Sequence, residues 1–126
     1  MKTNPDFDKI ISPYNSTIQL IAALTRMYIM RTLPHLTEEV DLTEGVVRYL
    51  HIDAYKRLVC SLIVSDGGVH IGLQTGSKLA DPMRIMAGSD YTFRYIAIND
   101  VNMLRSSPLK SILLEADTLS KKVKIA

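Results

Sequence analysis

Residues 56–76, KRLVCSLIVSDGGVHIGLQTG, hold the stretch on which the fold turns. Leu58, Cys60, Leu62 and Val64 recur at every second position, which sets them on one face of a β-strand, with Val59, Ser61, Ile63 and Ser65 on the other. The first set is wholly apolar and is assigned to the core. Ser65-Asp66-Gly67-Gly68 reads as a tight turn, because glycine supplies the positive φ that hairpin turns demand. The return strand places Val69, Ile71 and Leu73 on one face and His70, Gly72 and Gln74 on the other. One apolar face and one mixed face predict an antiparallel sheet with a wet side.

Working downstream, residues 75–82 (TGSKLADP) read as a turn-rich connector and Met83 to Met86 as a short strand. Tyr91 to Ile98 is expected as a strand with Tyr91, Phe93 and Tyr95 on one face, used for core packing. Val101 to Leu104 and Lys110 to Ala116 are expected as further strands, with 105–108 a loop between them. The tail from Ser120, SKKVKIA, is expected as an edge strand whose lysines discourage aggregation.

Working upstream, Val46 to Ile52 alternates as a strand, with a break at Asp53 and Ala54. The acidic cluster Glu38, Glu39, Asp41 and Glu44 reads as a solvated loop. Thr17 to Thr32 favours a helix capped by Asn15 or Ser16 and ended by Pro34; one or two strands remain the rival reading, because Ile18, Ile21, Tyr28 and Ile29 suit a sheet as well. On the helical wheel Asn15, Gln19, Arg26 and Ala22 share a narrow stripe, and the other faces are apolar. Residues 1–14 read as a polar arm. The expectation is a mainly β protein, an antiparallel jelly-roll-like β-sandwich of about eight short strands over 35–126, preceded by an arm and a helix over 1–34.

Composition fits one soluble domain: 126 residues, 47% hydrophobic and 22% charged. A net charge of +2 does not argue for nucleic acid or an acidic membrane surface. The apolar window from Ile18 to Met30 is interrupted by Gln19, Thr25 and Arg26 and is shorter than the roughly 20 residues of a membrane span. The opening MKTNPDFDK does not resemble a secretory signal, so a cytoplasmic setting is expected, or a virion if the chain is viral. Cys60, the single cysteine, sits in an apolar strand and reads as a small core residue.

No motif fixes a chemistry. The histidines are His35, His51 and His70; His51 and His70 lie on expected strands, but no HxH or HExxH spacing brings histidines together, and all three read as surface or sheet-face residues. Gly88-Ser89-Asp90 lacks the context of a nucleophile elbow and reads as a turn. Gly67, Gly68, Gly72 and Gly76 form neither GxGxxG nor a Walker loop. Glu115 and Asp117 could serve acid–base work but are read as the solvated end of a strand. Arg94 among aromatics and the lysines Lys121, Lys122 and Lys124 make nucleic-acid binding a lesser reading. No catalytic, cofactor-binding or metal residue is therefore assigned.

One pattern points further. A basic residue opens an apolar strand (Arg57-Leu58-Val59), a polar turn follows at Ser65 to Gly68, and a V-x-I-G strand returns at Val69 to Gly72. After the connector come Ile85-Met86-Ala87-Gly88-Ser89, a mixed aromatic strand, a Ser-rich loop and the closing I-L-L-E segment. Over residues 57–116 this order resembles small β-sandwich proteins of phages and other viruses that build or decorate virions. The resemblance implies a non-enzymatic structural or attachment role, in homo-oligomers or docked on other assembly proteins. The alternative is a module binding a glycan or nucleic acid through loops 75–82 and 105–108. An enzyme reading would need His51 or His70 joined to a carboxylate. If the Leu62 face is the core, Leu62→Ala is expected to cost about 2–5 kcal/mol in denaturant unfolding; a change within ~0.5 kcal/mol would turn that face outward.

Overall fold

The computed structural model describes residues 3–52 and 57–121. Helix α1 (Pro5–Ile11) and helix α2 (Ser16–Thr32) lead into strands β1 (Thr37–Asp41), β2 (Val46–Leu50), β3 (Leu58–Ser65) and β4 (Gly68–Leu73). After a long connection come β5 (Arg94–Ala97), a 3-10 turn at Val101–Arg105 and helix α3 (Ser107–Lys121). The five strands form one antiparallel sheet in chain order.

The hairpin reading holds. β3 and β4 pair with Leu62 opposite Ile71 and Ser65 opposite Gly68. One row of cross-strand partners, Val40, Val47, Leu62, Ile71 and Ile96, runs over all five strands, and the last four are wholly buried. Cys60 and Val64 lie buried on the same face, and burial pushes the Cys60 thiol up to about 12, with the charge of Asp117 adding to the shift.

Helices α2 and α3 both pack against β3 on this inner face. Among the described residues there is thus one five-stranded sheet with helices on one side, which overturns the expected eight-stranded sandwich. The segment expected as the strand Lys110 to Ala116 lies within α3, whose buried residues Leu109, Ile112, Leu113, Ala116 and Ser120 follow a helical repeat. Val101 to Leu104 is helical as well, Met83 to Met86 is not a strand, and regular pairing in the 91–98 segment is confined to Arg94–Ala97. The 1–14 arm contains α1, capped by the Asn4 side chain on the backbone N–H groups of Asp6 and Phe7, with Phe7, Ile10 and Ile11 buried. Asn15 caps α2, which settles that segment as helix, packed on its own sheet. The break at 53–54, and all of the 120–126 tail except Ser120 and Lys121 of α3, lie outside the described residues.

Of the acidic cluster expected as a solvated loop, Glu44 is exposed in a turn, but Glu38, Glu39 and Asp41 lie on β1, and Glu38 points inward. The Arg26 guanidinium donates to both Glu38 carboxylate oxygens at 2.9 Å, Tyr49 Oη donates to Oε2 at 2.7 Å, and Asn4 Nδ2 donates to Oε1 at 2.9 Å. The two charged side chains are 9% and 10% exposed, so this pair is part of the interior. The stripe holding Ala22 and Arg26 thus faces inward, while Leu20 is exposed. Burial pushes the Glu38 carboxyl up, but the hydrogen bonds from Arg26, Asn4 and Tyr49 outweigh it and hold the carboxyl below its ordinary 4.5. Removing one partner strands the other, so Arg26→Ala is expected to cost about 3–5 kcal/mol in denaturant unfolding; a cost below ~1 kcal/mol would show that water replaces the guanidinium. Because the folded carboxyl is depressed, its stabilisation is complete above pH 4.5 and is lost as pH falls through the lower folded value. Glu38→Gln is expected to flatten the acid limb of the stability curve below that pH, as read from urea midpoints across the range.

Candidate functional site

Asp117 lies on the inner side of α3 and is 5% exposed. Two segments distant in sequence reach it. Pro34 stands just past the end of α2, and a tight turn there, with the Leu36 N–H on the Leu33 carbonyl, sets His35 at the head of β1. His51 follows β2 directly after an irregularity at Tyr49 and Leu50, and its N–H still pairs with the Arg57 carbonyl. His35 Nε2 sits 2.9 Å from both Asp117 carboxylate oxygens, and His51 Nε2 sits 3.1 Å from Oδ1. The imidazoles stack with centroids 5.7 Å apart. Lys121, one turn on in α3, brings its Nζ to 3.4 Å from Oδ2.

The histidine–carboxylate junction that an enzyme reading required is therefore present, with Ser120 Oγ 3.0 Å from His51 Nε2. It is not a Ser-His-Asp relay. Such a relay needs the hydroxyl and the carboxylate on opposite ring nitrogens. Here both meet Nε2, and Ser120 Oγ donates to the Asp117 carbonyl at 2.7 Å. What the cluster offers is two imidazole nitrogens and a carboxylate converging on one point, with all the ligating atoms within 4.8 Å of one another.

The other residues singled out above are dispersed. His70 is on the outer face of the sheet against Tyr95. Glu115 does not pair with Asp117; it is exposed and accepts from the Ala80 N–H at 3.0 Å. The segments 75–82 and 105–108 do meet, where Ala80 to Pro82 and Ser107 and Pro108 border a depression of about 320 Å³, but Ser107 and Pro108 belong to α3 and not to the expected loop. Arg94 donates to the Asp90 and Phe93 carbonyls. His35 lies at the surface as expected, whereas Asp117, expected at a solvated strand end, is buried; its place at i+4 from Leu113 was the available signal.

A second feature is the face of the sheet away from the helices. Ile63 and His70 are cross-strand partners there, as are Gly72 and Tyr95. A Cβ on Gly72 would lie 3.0 Å from Ile63 Cδ1 and from the Phe93 ring, so it is the missing side chain that lets both settle over β4. Ile63, His70, Phe93 and Tyr95 line a shallow depression of about 260 Å³. The aromatics expected in the core thus lie on the outside, with Tyr91 93% exposed.

No family model matches the chain, and no match was found among curated proteins or solved structures. No helix among the described residues is long and apolar enough to cross a membrane. Asp117→Ala removes the shared acceptor of two imidazoles and is expected to lower stability by about 1–3 kcal/mol; an unchanged urea midpoint would show that both rings are satisfied without it.

Proposed function

We propose that this chain is a non-enzymatic assembly protein that self-associates through the outer face of its sheet, two copies lying face to face. The observation that carries this reading is the aromatic depression formed by Ile63, His70, Phe93 and Tyr95 on a sheet face that no helix among the described residues covers. Two sheets packed about 10 Å apart are a stable way to bury such faces. A second copy supplies the matching surface, because a two-fold interface sets the same patch against itself. The virion-protein resemblance implied a structural role; with the sandwich withdrawn, self-association rests on this face and a viral origin rests on the resemblance alone. Arg48, on the same face, is engaged by Asp41 at 2.7 Å, which favours a protein surface over a polyanion as the occupant.

Light scattering after gel filtration is expected to give twice the chain mass. Tyr95→Glu is expected to give the single-chain mass with an unchanged far-UV spectrum, since Tyr95 is 36% exposed. Leu20→Glu, on the outer side of α2, is expected to leave the pair intact. A monomeric natural chain at high concentration, or a pair broken by Leu20→Glu and not by Tyr95→Glu, would overturn the assignment.

A further inference from the structure

We propose that His35, His51 and Asp117 form a binding site for a divalent transition cation of the zinc class. Nothing in this inference depends on the self-association reading.

The donor set is the first support. Imidazole nitrogen with carboxylate oxygen suits zinc, cobalt and their neighbours, whereas magnesium and calcium prefer oxygen alone. The second support is distance. A cation about 2.0–2.2 Å from each donor holds neighbouring donor atoms roughly 2.8–3.1 Å apart at an octahedral angle and roughly 3.3–3.6 Å apart at a tetrahedral one, and the separations here match the octahedral angle. The nitrogen–oxygen separations are 2.9 Å for His35 and 3.1 Å for His51. Convergence is the third. Both rings present Nε2 to the same carboxylate, and His35 Nε2 is equidistant from its two oxygens. A single N–H aligns poorly with two acceptors.

Burial supplies the driving force. Asp117 is 5% exposed, and a buried carboxylate calls for a positive partner. Lys121 is a cation at hand, but its side chain is 55% exposed and its flexible stem can move its ammonium away. It competes with the metal for Oδ2. The His35 side chain is 43% exposed, so a bound cation keeps an outward position for water or an anion. The site would also join the end of α2, the end of β2 and α3, with 82 positions separating His35 from Asp117.

The test uses the full, tag-free chain. Zinc titrated against a chromophoric chelator is expected to bind at one equivalent per chain with a Kd of about 10 µM or tighter. Zinc is expected to raise the unfolding midpoint, while magnesium is not. His35→Ala, which the exposure of this side chain makes safe for folding, is expected to weaken zinc at least about tenfold. His70→Ala, on the other face of the sheet, is expected to leave it unchanged. Lys121→Gln is expected to tighten zinc several-fold by removing the competitor, an effect that a purely structural Asp117–Lys121 pair would not produce. With cobalt, d–d absorption bands are expected and are lost in His35→Ala. Zinc binding weaker than about 1 mM, or equal binding by the natural chain and His35→Ala, overturns the proposal.

Discussion

Glu38 is an acid on an edge strand whose side chain turns into the protein, and the placement of the first three elements follows from that choice. A buried carboxylate is tolerable only when its charge is met and its oxygens are hydrogen-bonded. Arg26 of α2 meets the charge in a two-pronged contact, Tyr49 of β2 and Asn4 at the start of α1 supply the remaining donors, and Phe7 of α1 lies under the guanidinium at 5.3 Å. One anchor thus registers two helices against two strands. Because it fixes α2, it also fixes where Leu33 and Pro34 end that helix, and hence that His35 emerges above the end of β2 and beside α3.

The alternation in β3 and β4 was legible because a strand with one dry face repeats every two residues, and Cys60, Leu62, Val64, Val69 and Ile71 obey that repeat; at the start of β3 it fails, where Leu58 is half-buried and Val59, expected on the other face, is buried. α3 was not, because in a short window Ile112, Leu114 and Ala116 alternate as well as any strand. Only a wider span from Leu109 to Ser120, with Pro108 in the first turn, separates the two periods. α1 was concealed by its polarity, although Asn4-Pro5 is a helix start in itself. β1 was concealed because Thr37 to Asp41 has the composition of a loop, and a buried ion pair leaves no mark in a hydropathy pattern.

The site was less legible than the fold. No local spacing joins His35, His51 and Asp117; they meet only because α2 and α3 share one face of the sheet and because β2 ends where it does. The outer face was misassigned for a related reason. Tyr91, Phe93 and Tyr95 suit a core between two sheets, and among the described residues a single sheet leaves that side without a second layer. Ile96 and Ile98, the opposite set, are the residues that reach the interior.

Comparing the two buried carboxylates shows why Asp117 draws the chemical reading and Glu38 does not. Glu38 has a permanent cation at 2.9 Å that is itself buried, along with donors that complete its coordination. Its interactions are closed, and a ligand could enter only by breaking them. Asp117 has the opposite arrangement: two imidazoles that are charged only when protonated, and a lysine mostly in solvent. Of its partners only His51 lies deep, at 12% exposed; His35 and the lysine reach it from the rim. A cation held by both rings and the carboxylate would balance a charge that the fold itself balances only from the outside.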